Sequence, residues 1–486
     1  MRIFSPLALS SLAILTNAAA IDDCLKAASV PVDAKGSSDW NSDVAPFNNR
    51  VPFTPAAIAV PTTVAHVQAA VSCAVKTGLK VSPKGGGHSY ASFGIGGEDG
   101  HLMIELDRMY AVTVDSTTNI ATIQAGARLG HVFTALYAQG KRAISHGTCP
   151  GVGIAGHALH GGFGFSSHTH GLALDWIVGA TVVLANGTVV NTSETENPDL
   201  LYALKGAGSS FGVVTSFKFN TFAAPSQVTV FNSQLGWGSA SAAASGWTKI
   251  QDYAQNTMPA EMNFRLFVNS YGTNLQGLYF GSPSQLQSAI QPLMSSLGAS
   301  LSQSRQTDWP GGFAAYDNGD PVDVSHPYNM HETFYSKSLA TSALPAAAMT
   351  AATNYWFSTA RSQSRDWYLI IDMHGGKYGA IPAVAANATS YQPRDKLFLY
   401  EFYDRVNFGS YPSNGFSFLD GWVNAFTSNL KPEQWGMYIN YADPTMNRTT
   451  AQKNYWGSHL PRLQKIKAAY DPNEVIYYPQ SIQPAK

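Results

Sequence analysis

His88 and Cys149 are the side chains whose surroundings point first to chemistry. An imidazole and a thiolate are nucleophiles, and each can bond to an electrophilic carbon held against it. The imidazole follows three glycines in SPKGGGHSYASFG (Ser82 to Gly94), and the thiol lies in SHGTCPGVGIAGHALHGGFG (Ser145 to Gly164). Consecutive glycines let backbone N–H groups approach a pyrophosphate and form an anion-binding concavity. Together the two stretches predict a flat, phosphate-bearing cofactor against the backbone, with two nucleophiles beside it. The spacing is not G-x-G-x-x-G, so a nicotinamide site is not expected. Read singly, the triple glycine is more often an ordinary loop than a cofactor site, and Cys149 reads as a thiol packing as a small hydrophobe.

Cysteine parity separates Cys149 from the rest. Arg2, an apolar run from Ile3 to Leu15 and Asn17-Ala18-Ala19-Ala20 read as a secretory signal over residues 1–20, cleaved just after Ala18 to Ala20. The run is too short to span a bilayer, so the mature protein is expected to be soluble, extracellular and without a membrane partner. Four Asn-x-Ser/Thr sequons, at Asn186, Asn191, Asn387 and Asn447, fit that route. In an oxidising compartment three cysteines leave one without an intramolecular partner. Cys24 in DCLKAA and Cys73 in TTVAHVQAAVSCAVKTG have no chemistry around them and read as a structural disulfide.

Composition narrows the function. Of 486 residues 13% are charged, the formal net charge is −1, and no Lys/Arg run stands out, which argues against a nucleic-acid partner. Aromatic residues, at 12%, suit a groove that stacks on sugar rings and equally a large aromatic core. His157, His160, His168 and His170 raise a metal hydrolase as a rival, but no H-E-x-x-H or cysteine-pair pattern accompanies them, and no metal is expected.

The elements that must position these residues follow from periodicity. Thr62 or Thr63 caps a helix with Val64, Val67 and Val71 on one face and Gly78 as its stop. The strand LKVSP then delivers the triple glycine. Ile104 to Leu106 and Ile120 to Ile123 read as strands, Leu129 to Ala138 as a helix, and Trp176 to Leu184 with Thr188 to Val190 as a hairpin turning at Asn186-Gly187. Pro198 opens a helix through Leu204, before the strand VVTSFKF. From about Gln227 the glycine clusters thin out, and NFRLFVNSY, LQGLYFG, WYLIIDMHGG and KLFLYEFYDR suggest one antiparallel sheet with helices such as Ser284 to Leu297 on one face. The tail holds YINYAD, a helix around Gln452 to Ala469, and VIYYPQSI. Taken alone, YINY reads as an amphipathic strand.

KGGGHSY, HLMIELDRMY, ATIQAGARLG, SHGTCPGVGIAGH, HTHGLALDWIVGATVVL, SETENPDLLYALKGAG and YINYAD, in this order, resemble segments of the vanillyl-alcohol-oxidase type of FAD enzymes. Within that type the chain resembles the berberine-bridge-enzyme-like oxidases, most of all the fungal secreted oligosaccharide oxidases. The resemblance implies an α+β fold. A PCMH-type FAD-binding domain (21–226) would be completed by a returning segment (435–486), with a substrate domain (227–434) built on an antiparallel sheet backed by helices. It implies FAD bonded through His88 to the 8-methyl carbon and through Cys149 to ring carbon six. Lys84, Gly85, Gly86, Gly87, Ser89, Val152, Gly153, Gly156, His157, Gly212, Val213, Tyr478 and Gln480 would complete the cofactor site.

The same resemblance makes Tyr441 the catalytic base and Asp372 its supporting carboxylate, with Tyr90, Arg265, Tyr368 and Glu401 contacting sugar. A phenol is a poor base at neutral pH, so positive field or hydrogen bonding is expected to lower its pKa. Phe267, Ile370 and Glu401 stand where more polar or amide side chains are expected, leaving the preferred sugar open. Val152 matches a position where a small side chain favours reaction with dioxygen. The activity implied is oxidation of the reducing-end C1 hydroxyl of an oligosaccharide to the lactone, with hydrogen peroxide as co-product, by a monomer. Oxidation of a non-sugar alcohol or secondary metabolite, a dehydrogenase, and a non-catalytic sugar-binding module are the alternatives.

Overall fold

The computed structural model describes residues 19–317, 322 and 330–486, so the expected signal segment falls almost wholly outside the described residues. A small parallel sheet orders Ala57–Ala59, Leu102–Glu105 and Val81–Lys84, with the Leu102 strand in the centre. Leu102–Glu105 is buried at every position, as a parallel strand covered on both faces must be. The helix Val64–Thr77 packs behind it. Thr63 caps that helix by accepting the His66 N–H at 3.2 Å, and Gly78 ends it at φ +70°, a conformation glycine adopts freely. Cys73 on this helix is bonded to Cys24, on a helix spanning 19–27, as parity led us to expect.

A five-stranded antiparallel sheet follows, in the order Val112–Val114, Ala121–Gln124, Val213–Phe219, Ile177–Val183, Val189–Thr192. Its Asn186-Gly187 hairpin forms where the turn signal placed it. The helix Pro198–Ala207 leaves helical geometry at Lys205 and Gly206. A Cβ on Gly206 would lie 2.5 Å from the Ser390 backbone, so this helix end meets a loop from the far half of the chain.

An eight-stranded antiparallel sheet carries the other half. Its order is Gln303–Thr307, Val228–Leu235, Gly272–Tyr279, Met262–Asn269, Asp366–Met373, Phe398–Val406, Thr333–Thr341, Trp435–Gly436. Alternation decides which side chains face where. Phe398, Tyr400 and Phe402 point to the helices Ala240–Asn256, Ala346–Ser358 and Ser413–Thr427, where Trp247 contacts Phe398, Tyr400 and Phe426. Glu401, Tyr403 and Arg405 point the other way.

The tail returns to the first half. The Val81 N–H donates to the Val475 carbonyl at 2.8 Å, and the Tyr477 N–H donates to the Val81 carbonyl. Buried Lys467 holds the turn by donating to Asp471, to the Ser210 carbonyl and to the Ile476 carbonyl. The single helix expected around Gln452 to Ala469 is two, Arg448–Trp456 and Leu460–Tyr470. Gly457 at φ +44° and the missing N–H of Pro461 break it. YINY is not a strand: Ile439–Tyr441 is a short 3₁₀ turn.

Candidate active site

One cavity of about 540 Å³ lies between the glycine-rich loops and the free face of the large sheet. The Val81–Lys84 strand ends at its floor and delivers Gly85, Gly86, Gly87, His88, Ser89 and Tyr90 to its lining. Opposite stand Cys149, Val152, Gly153, Gly156 and His157. Gly86 and Gly153 bring these loops into backbone contact, since a Cβ on Gly86 would lie 2.2 Å from the Gly153 nitrogen. Arg128 ties them by donating to the Gly86 carbonyl at 2.8 Å and the Gly151 carbonyl at 2.6 Å. A Cβ on Gly156 would meet nothing within 4 Å and would only fill cavity space. A backbone-walled slot with side chains removed fits a flat, phosphate-bearing group such as FAD.

The cavity brings the two nucleophiles together. Cys149 Sγ lies 3.9 Å from His88 Nε2, close enough for both to reach one edge of a single ring system. Phe47 stacks on the His88 ring at 4.0 Å. Burial first, then the nearby charge of Arg128, pushes His88 down to about 3, so its imidazole is neutral and nucleophilic at pH 7. Burial likewise lowers His157 to about 3, and its Nε2 accepts the Gly147 N–H at 2.9 Å, as a neutral ring can.

Lys84 lines the cavity while ion-paired to Glu105 beneath it. Gly212 and Tyr478 also line it, and Phe93 packs on Tyr478 at 4.5 Å. Two expected cofactor contacts lie outside the lining. Strand alternation turns Val213 into the core and leaves Val214 facing the cavity. Gln480 instead staples the tail, donating to the carbonyls of Asp443 and Met446.

The sheet wall presents Arg265, Tyr368, Ile370, Asp372, Glu401, Tyr403 and Arg405 from three adjacent strands. Tyr90 donates to Glu401 at 2.6 Å and Tyr368 donates to the same oxygen at 3.4 Å. Arg265 donates to Gln276 and lies over the Tyr316 ring at 5.1 Å. Phe267 stacks on Tyr368 at 5.4 Å and does not line the cavity itself. Tyr441 enters from the tail and stacks on Tyr90 at 5.8 Å. Its turn is clamped to the glycine loop: the Gly162 and Phe163 N–H groups donate to Tyr438, and Asn440 donates to Tyr438 and to the His157 carbonyl.

Electrostatics here run against the simple expectation for a phenolic base. Burial, then the charges of Glu401 and Asp372, hold Tyr441 well above the usual phenol range. Burial also raises Asp372 and Glu401 to about 7, with Arg265 opposing the rise in both. The groups poised to exchange protons near neutral pH are therefore the two carboxylates.

Sequence reasoning missed Phe47, Glu332, Tyr403, Arg405 and Tyr316, all of which line the cavity. Tyr403 and Arg405 share Glu401's parity on one strand, so alternation could have found them. Glu332, which accepts from both Tyr403 and Arg405, and Phe47 arrive on irregular segments that carry no such signal. The four histidines of the metal reading point to separate neighbours. His157 meets Gly147, His160 lies 3.0 Å from the Gly156 carbonyl, His168 packs against Gly376 and Gly379, and His170 stacks on Phe222 at 3.9 Å.

Known proteins share this arrangement. An FAD binding domain family matches residues 55–193, and the berberine and berberine-like family matches residues 437–483. The xylooligosaccharide oxidase of Thermothelomyces thermophilus is 56% identical over 493 residues, covering 99% of each chain. The solved xylooligosaccharide oxidase from Myceliophthora thermophila C1, in complex with xylobiose, is 57% identical over 96% of this chain and all of its own, with a TM-score of 0.95. The glucooligosaccharide oxidase from Acremonium strictum, whose cofactor is a 6-S-cysteinyl, 8α-N1-histidyl FAD, is 44% identical over 96% of this chain and 99% of its own, with a TM-score of 0.93. Identity of this extent over the whole cavity-forming chain means that the protein belongs to the berberine-bridge-enzyme-like FAD-dependent oxidoreductases, in the group of oligosaccharide oxidases.

Proposed function

We propose that the protein is a secreted oxidase that converts the reducing-end C1 hydroxyl of neutral oligosaccharides to the lactone, which hydrolyses to the aldonic acid, with dioxygen reduced to hydrogen peroxide. The observation that carries this reading is one cavity in which a backbone-walled slot with two adjacent nucleophiles faces a sheet wall of buried phenols and carboxylates. His88 and Cys149 are the covalent anchors of FAD, and Lys84, Gly85, Gly86, Gly87, Ser89, Val152, Gly153, Gly156, His157, Gly212 and Tyr478 shape its bed. We take 21–226 with 435–486 as the cofactor half and 227–434 as the substrate half, a division supported by the tail's bonds to Val81.

Bound FAD supplies the two-electron acceptor. The chain's own residues orient the sugar and move its proton. Tyr368, Glu401 and Arg265 hold the sugar ring from the sheet wall, with Tyr90 from the glycine-rich loop. Tyr441 Oη takes the C1 hydroxyl proton as its own proton passes to Asp372, so no free phenolate forms. A carboxylate at about 7 suits that receipt, being part ionised at neutral pH. Val152, small and beside Cys149, leaves room for dioxygen. The disulfide and four exposed sequon asparagines support secretion, and among the described residues no helix is long and apolar enough to cross a membrane. We take the enzyme to be a monomer.

The test is peroxide release over a panel of gluco-, xylo- and chitooligosaccharides beside simple alcohols. Turnover confined to the alcohols would remove the oligosaccharide reading. Reduction by sugar without peroxide release in air would make the enzyme a dehydrogenase.

A further inference from the structure

We infer that Tyr271 and Phe408 form an outer carbohydrate-binding platform, which takes the sugar rings of a neutral oligosaccharide lying beyond those held in the cavity. The inference rests on the oligosaccharide reading and extends it from the reducing end to the distal rings.

Both side chains are 94% exposed, while the other exposed large apolar residues range from 43% to 52%. They come from distant parts of the chain and lie at the same end of the large sheet. Tyr271 tips the turn between Met262–Asn269 and Gly272–Tyr279, and Phe408 follows Phe398–Val406. The register pairs Asn269 with Tyr368, Tyr368 with Tyr403, and Asp366 with Arg405. Both tips therefore project from the same end of three adjacent strands, about 10 Å apart by two inter-strand spacings.

That end is the mouth of the cavity, since Met330, Glu332 and Arg405 lie there and line it. Just inside that end a row of stacked rings crosses the three strands, Phe267 on Tyr368 at 5.4 Å and Tyr368 on Tyr403 at 4.7 Å and 5°, and Tyr368 and Tyr403 line the cavity. The Tyr271 turn is held in shape, with Asn269 Oδ1 accepting the N–H groups of Tyr271 and Gly272 at 2.9 and 3.2 Å. Its ring is thus presented on a fixed backbone.

Volume decides why an outer platform is needed. A cavity of about 540 Å³ is the size that holds one small ligand, and the glycine-walled half of it is the cofactor's bed. Only the reducing end of a chain fits in the remainder, so further rings must lie at the mouth. The apolar C–H face of a neutral pyranose packs flat on an aromatic ring. Arg405 there pairs with both Glu332 and Asp366, one cation to two carboxylates, so the surroundings disfavour anionic sugars and admit neutral ones.

The experiment uses the holoenzyme and its Y271A/F408A variant, assayed with the dimer and hexaose of the xylo-, cello- and chitooligosaccharide series. We expect KM for the hexaose of the oxidised series to rise about three- to tenfold in the variant, with kcat unchanged and the KM for its dimer within about twofold of wild type. Y271F/F408Y, which keeps both rings, should retain the wild-type KM. Equal KM changes for dimer and hexaose, or none for either, would overturn the platform. If the wild-type enzyme oxidises none of the three series, the oligosaccharide reading fails first and the platform falls with it.

Discussion

The wall formed by Ser82 to Gly94 and Gly147 to Gly164 presents glycine backbone between a few side chains, His88, Cys149 and His157 among them, whereas the wall formed by Met262–Asn269, Asp366–Met373 and Phe398–Val406 carries Arg265, Tyr368, Asp372, Glu401, Tyr403 and Arg405. The first makes its site by removing atoms, so that backbone meets ligand. The second makes its site by burying ionisable groups, which shifts the protonation of each. Binding a large, invariant cofactor needs shape and N–H groups. Moving a proton needs titratable groups whose pKa values have been brought near the working pH.

The contrast can be broken at four places. Tyr441→Phe should lower kcat about 10²- to 10⁴-fold while leaving the visible spectrum of the bound flavin nearly unchanged. Near-normal turnover would take the proton away from the sheet-facing wall. Gly86→Ala should destabilise the fold by about 3 kcal/mol or more and lower FAD content, because its Cβ would sit 2.2 Å from the Gly153 nitrogen. Thermal unfolding and the flavin-to-protein absorbance ratio measure both. A fully loaded, equally stable variant would show that the slot does not depend on bare backbone.

Asp372→Asn sharpens the electrostatic side. In the wild type the ionised carboxylates that accept the proton appear as pH rises through about 7, so kcat/KM should climb between roughly pH 6 and 8. The variant should be slower by about a hundredfold and lose most of that climb. Stability runs the opposite way. The folded state holds protons that the unfolded chain releases above the ordinary carboxylate range, so wild-type stability falls from about pH 4 to 7 and the variant's curve is flatter. An unchanged pH profile in Asp372→Asn would assign the climb to Glu401 alone. The smallest effect is expected at the anchors. His88→Ala or Cys149→Ala alone should keep the flavin attached through acid precipitation, and only the double variant should release it. Free FAD from either single variant would contradict two bonds.

Much of the glycine wall was legible because its signals are local. GGGHSY and GTCPGVG announce backbone approach over a few residues, and parity paired Cys24 with Cys73 without any structure. The sheet wall was legible only in part. Alternation along WYLIIDM and FLYEFYDR separates cavity-facing from core-facing positions, and carried along the second strand beyond Glu401 it would have included Tyr403 and Arg405. It would also have given the cavity-facing position to Val214 in place of Val213. Nothing local marked Phe47 or Glu332, and YINY gave the periodicity of a strand while folding as a 3₁₀ turn, because its hydrogen bonds go to Gly162, Phe163 and His157 across the cavity.

By itself the chain determined residue chemistry, turn and helix limits, the disulfide and the two kinds of wall, since each depends on neighbours within a few residues or on simple counting. Only the tertiary structure decided that His88 and Cys149 come within 3.9 Å, that Tyr441 stacks on Tyr90, that Glu401 receives two phenols, and that Asp372 titrates near 7. Those properties arise from burial and cross-strand register, which exist only once segments hundreds of residues apart have closed over the same cavity.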